Sequence, residues 1–130
     1  MLHLSSAVFA SAVIHAFYTR DAIYHHLFLA VTCLSIASHS LSPDMLMARV
    51  IYTVDRVAAH LAFAVVTCDL IVYAVLLRTY ALVGIPLLVA YLWVYIRTMV
   101  EGTKRRRAHI MLHVAGCLST HVAILLRTHG

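Results

Sequence analysis

Charge is scarce in this chain, and so are the residues that break helices. Asp and Glu number five, charged residues make up 12% of 130 positions, Pro occurs twice and Gly four times. That leaves too little polar surface to keep a soluble domain of this length dispersed in water, and little material for loops. Cys33, Cys68 and Cys117 are scattered through apolar stretches at no metal-finger spacing, and such an odd, dispersed set does not read as a disulfide framework. They read as small buried hydrophobes. There is no internal repeat and no low-complexity stretch. Met1 to Ser6 lacks the basic n-region of a signal peptide, although Ala10-Ser11-Ala12 faintly resembles a small-residue cleavage site; the first apolar run is read as a retained helix.

What is abundant is apolar. Hydrophobic residues make up 63% of the chain, and its mean hydropathy is +0.92. Lipid suits such a composition. Inside a bilayer each span must satisfy its own backbone groups, which leaves helices or a closed barrel. The apolar runs are long and do not alternate, which excludes the barrel. The expected fold class is therefore all-α, a polytopic transmembrane bundle of about five helices forming one domain over residues 1–130. Charged and turn residues place the spans at about 2–18, 22–40, 54–77, 80–100 and 108–126. The last three are each about the 20 residues needed to cross a bilayer. Pro43 ends the second run, Met45 to Thr53 reads as amphipathic helix or loop, and Gly84 and Pro86 are tolerable in a lipid-embedded helix.

The formal charge of +5 would suggest nucleic acid in a soluble protein. Here the basic residues stand at the ends of apolar runs, where they report topology, and no nucleic-acid partner is expected. Five alternating spans put the amino terminus, the 41–53 segment and the 101–107 loop on one side, called side A. Arg49, Arg56, Arg97, Lys104, Arg105, Arg106 and Arg107 fall at side A, whereas Arg20, Arg78 and Arg127 fall at the opposite side B. Side A, with its basic 101–107 loop, is then expected to be cytoplasmic.

Histidine is over-used, with ten copies. An ionisable side chain within a membrane helix is costly unless paired or bound, so it marks function by default. Chance alone supplies about one His-x3-His pair at this frequency, and one is present, His109-Ile-Met-Leu-His113. Its location adds weight. His109 and His113 share a helix face, where they could grip one metal ion, and sit in the first turns of the fifth span at side A. His39 closes the second span at side A, with Ser35 one turn earlier on the same face. Asp55 opens the third span, also at side A. The alternation follows from apolar runs and basic residues alone, so the common depth of these five polar groups is independent of it. His60 lies a little over one turn beyond Asp55 and fits a packed or hydrogen-bonded role better than a supporting one. His121 reads as structural, His3 and His129 are terminal, and His25 and His26 lie near side B. His15 follows Ser11 at the Ser35/His39 spacing, but lies away from side A.

The order Ser35-Ile-Ala-Ser-His39, then Thr53-Val-Asp55 at the next helix start, then His109-Ile-Met-Leu-His113 in the last helix resembles the CREST superfamily. That group includes alkaline ceramidases, progestin and adipoQ receptors, Per1-type lipid-remodelling proteins and myomaker-like proteins. The resemblance covers roughly residues 22 to 65 and 105 to 125. It implies a zinc ion held by His39, His109 and His113, with Ser35 and Asp55 beside a bound water. Family members usually have seven helices where about five fit here. Ser38 stands where an aromatic often precedes the first family histidine, and Leu112 replaces the ceramidase-type Trp before the last one.

The chemistry agrees with the resemblance. Three imidazoles with one open position make a catalytic rather than a closed structural zinc site. Such a metal lowers the pKa of its water and polarises a carbonyl. Asp55 is placed to orient or deprotonate water, and Ser35 to hydrogen-bond water or a developing oxyanion. The expected activity is zinc-dependent hydrolysis of a lipid amide or ester entering laterally from the bilayer near side A. A non-catalytic receptor or structural protein, with the polar cluster as a metal staple or hydrogen-bonded core, is the alternative. A b-type haem protein is a third, but haem would want paired histidines across two helices, and a single His-x3-His suits zinc better. Di-iron boxes of the desaturase type need several clustered repeats. Membrane lipid is the expected partner; five helices enclose a lipid pocket thinly, which leaves a homo-oligomer open, although no Gly-x3-Gly seam supports one.

Overall fold

A computed structural model describes residues 6–98 and 101–129. Residues 2–5 of the expected first span, with His3, and Met99 and Val100 at the end of the fourth lie outside the described residues. Among those described the chain is all-α: α1 (Phe9–Tyr18), α2 (Ala22–Ser40), α3 (Leu46–Leu76), a 3₁₀ turn (Tyr80–Val83), α4 (Gly84–Thr98) and α5 (Gly102–His129), with no strand. Four stretches are long and apolar enough to cross a membrane: Ala22–Ser40, Leu46–Leu76, Tyr80–Thr98 and Gly102–His129. The length and composition of these helices are those of a multi-pass integral membrane protein. The 10 residues of α1 cover about 15 Å, half of a hydrocarbon layer.

Two helices start earlier than their apolar runs. α3 begins at Leu46, so Met45–Thr53 is almost wholly helical rather than loop, because Leu, Met, Ala and Arg are good helix formers and no breaker follows Pro43. α5 begins at Gly102, so all of the basic 101–107 stretch but Glu101 is helical instead of a loop. Lys and Arg favour that conformation too.

Packing divides the chain within α3 into Met1–Ala62 and Phe63–Gly130. In the first unit, α1 and α2 form a hairpin. Arg20 adopts a left-handed conformation (φ 57°) that closes α1, Asp21 N–H reaches back to the Ala16 carbonyl at 2.9 Å, and the Asp21 side chain caps α2 by accepting from the Tyr24 N–H at 3.1 Å. Phe9 and Tyr24 both stack on Phe28, with centroids 6.1 and 5.9 Å away. The buried stripe of α2 runs Tyr24, Phe28, Val31, Thr32 and Ser35 at helical spacing, and Ser38 and His39 continue it to the helix end.

In the second unit, Arg78 repeats the left-handed closure (φ 54°) after α3, with Thr79 N–H on the Ala74 carbonyl at 2.9 Å. Pro86 falls in the first turn of α4, where its missing N–H costs nothing. α4 packs against α5, whose buried residues include Ala108, His113, Cys117, Thr120 and Ile124. That set places the His-x3-His pair at the edge of the buried face.

Candidate metal centre

The second unit builds the pair. His109 and His113 are one turn apart on α5, His109 half-buried and His113 only 8% exposed. Their Nε2 atoms lie 3.1 Å apart, and the rings meet edge to face with centroids at 4.6 Å. Only one proton fits between two nitrogens at that distance. Either one ring donates to the other, or both lone pairs face a shared cation. Two nitrogens each ~2.0–2.1 Å from a tetrahedral zinc would stand about 3.3 Å apart. A shift of a few tenths of an ångström in two side chains separates the observed geometry from that arrangement, so the spacing of this pair is compatible with a shared metal ion.

The first unit assembles the remaining groups. Asp55 is 8% exposed and accepts a hydrogen bond from Ser38 Oγ at 2.9 Å. The same hydroxyl lies 3.2 Å from the Ser35 carbonyl. His39 follows Ser38 near the end of the same helix and is partly buried. Ser35, 4% exposed, donates to Ser6 Oγ at 2.8 Å. The hydroxyl on the carboxylate is therefore that of Ser38, with Ser35 one turn back in its own buried contact. The expected set divides between the units, with Ser35, His39 and Asp55 in the first and His109 and His113 in the second.

Other histidines have local roles. The His60 ring bonds the Arg56 carbonyl of its own helix, and His25 Nδ1 lies 3.2 Å from the Val13 carbonyl across the α1–α2 hairpin. His60 also lines a shallow groove on α3 with Tyr52, Thr53, Arg56 and Val57, which contains none of the expected ligands.

Sequence reasoning missed two polar features. Ser38 stood out only as a departure from an aromatic, although its place three residues after Ser35 continues the buried stripe of α2. Asp69, a lone carboxylate within an apolar run, forms an ion pair with Arg127 at 3.2 Å. The signal was the isolated acid itself, since a charge inside a span calls for a partner.

Compared with family models, curated proteins and solved structures, the chain matches none.

Proposed function

We propose that this integral membrane protein is a zinc-dependent hydrolase of a lipid amide or ester, and that its resemblance to the CREST superfamily reflects a shared chemistry. The single observation that carries this reading is the convergence of His109 Nε2 and His113 Nε2 to 3.1 Å on one helix face. His39 would complete the ligand set, as its expected depth at side A suggests. A zinc ion held by these three imidazoles supplies Lewis acidity toward a carbonyl and acidifies water toward neutrality.

The protein's own groups would do the rest. Asp55 would take the proton of the attacking water as the oxygen adds to the carbonyl carbon, and return it to the amine or alcohol as the C–N or C–O bond breaks. Ser38 would act as a positioning residue, since its hydroxyl fixes one carboxylate oxygen and leaves the other for water. Ser35 would stabilise an oxyanion by turning its hydroxyl away from Ser6.

The same 3.1 Å contact favours a second reading. A neutral His109–His113 hydrogen bond satisfies both Nε2 atoms without metal, and the cluster would then be a structural staple in a non-catalytic protein. Two imidazoles this close on one helix cannot bracket a haem ring, which disfavours the haem alternative.

Asp55→Asn separates the readings. The purified variant is assayed for zinc and for hydrolysis of long-chain amides and esters in mixed micelles. Hydrolysis lost by at least a hundredfold with zinc retained supports the proposal. Unchanged hydrolysis contradicts the role given to Asp55, and absence of hydrolysis in a zinc-loaded parent favours the staple.

A further inference from the structure

Four consecutive cations, Lys104, Arg105, Arg106 and Arg107, open α5, and every one of them is exposed. We infer that this tetrabasic turn is a headgroup site for anionic phospholipid. The inference is independent of whether the histidines hold metal.

Helix length sets the depth. At 1.5 Å per residue, the apolar stretch Ala108–Leu126 covers about 28 Å, close to the ~30 Å of a hydrocarbon layer. Gly102–Arg107 then projects roughly 9 Å beyond it, into the phosphate zone. A loop there could fold back into water. A helical turn continuous with a spanning helix holds its charges at headgroup depth.

The neighbouring helix marks the same level. α4 packs against α5 and ends at Thr98, a few residues before α5 begins. Near its outer end the Arg97 guanidinium lies over the Trp93 ring, 5.1 Å from the centroid. Trp favours the membrane interface, and Arg97 one turn further out adds a fifth cation to the rim.

Charge makes the turn incomplete by itself. Glu101, just before α5, supplies one negative charge, and the first turn itself contains no acidic residue, so the cations stay in excess. Four like charges repel one another and also oppose the positive end of the helix dipole, so the bare helix start is destabilised. Among the described residues none of the four has an ion-pair partner. Lipid phosphates would relieve both effects, and juxtamembrane basic clusters gain about fivefold in affinity per cation from an anionic surface.

The test uses the full chain in neutral maltoside micelles. Native mass spectrometry and thermal unfolding are recorded with dioleoyl phosphatidylserine or dioleoyl phosphatidylcholine added. Phosphatidylserine should bind at least tenfold more tightly and raise the unfolding temperature. The K104Q/R105Q/R106Q/R107Q variant should lose that preference while unfolding, without lipid, at the parent temperature or above it. The charge-preserving R105K/R106K/R107K variant should keep the preference, and R105Q/R107Q should lose part of it, so the outcome does not depend on the fourfold variant folding. Equal binding of the two lipids would overturn the inference. So would an unchanged preference in the Gln variants, the full thermal shift from inorganic phosphate alone, or tighter binding of an RNA oligonucleotide than of phosphatidylserine.

Discussion

Ser38 Oγ donates to Asp55 Oδ2 across 2.9 Å, linking the end of α2 to α3 one residue before His39. A buried carboxylate with one fixed hydroxyl donor is held in a single orientation. Ser38→Ala removes that donor. Hydrogen bonds between membrane helices average about 0.6 kcal/mol and reach about 1.7, so the expected loss is around 1 kcal/mol. Reversible unfolding in mixed micelles measures it. If Asp55 acts on water, Ser38→Ala should also lower kcat with little change in KM and no loss of zinc, whereas Ser38→Thr should restore most of the rate.

The four long apolar helices were legible in the sequence because lipid leaves the backbone few solutions, and apolar length alone then locates the helices. Helix ends were less legible. Leu46–Thr53 and Gly102–Arg107 are helical although polar or mixed, because hydropathy reports what lipid covers while Lys, Arg, Met and Leu continue a helix beyond the hydrocarbon. The His109–His113 pair was legible from i, i+4 spacing, which by itself brings two side chains together. The Ser38–Asp55 contact was not, since Ser35 and Ser38 lie on the same stripe and only the approach of a second helix decides which one meets the acid. The Asp69–Arg127 pair joins residues far apart in sequence, and no local pattern predicts that.

That pair carries its own prediction. Asp69 lies in the second half of α3 and Arg127 near the end of α5, with the two side chains 22% and 31% exposed. Asp69→Asn or Arg127→Gln alone leaves one charge in a poorly solvated place. The double variant should recover part of the loss. A double-mutant cycle is expected to give a coupling of about 0.5–1.5 kcal/mol. Strict additivity would mean that each charge is satisfied elsewhere.

Arg78 closes α3 with φ at 54°, a conformation that costs a non-glycine residue roughly 1 kcal/mol. Arg78→Gly relieves that strain and should stabilise the protein by several tenths of a kcal/mol, the gain being trimmed by the greater freedom of glycine in the unfolded chain. Arg78→Val should destabilise by more than 1 kcal/mol, since a β-branched residue tolerates this region least. Thermal unfolding of the two variants beside the parent gives the ordering.

The most direct measurement is the metal content of the purified protein, taken by elemental mass spectrometry beside His113→Ala. The parent chain is expected to hold about one zinc per chain and no stoichiometric iron, and His113→Ala, which leaves His109 without its partner at 3.1 Å, to hold less than a tenth as much. A parent protein that binds no zinc after zinc is supplied, or a His113→Ala variant that binds it fully, would contradict the metal centre and leave the His109–His113 contact as a hydrogen bond between two helix residues.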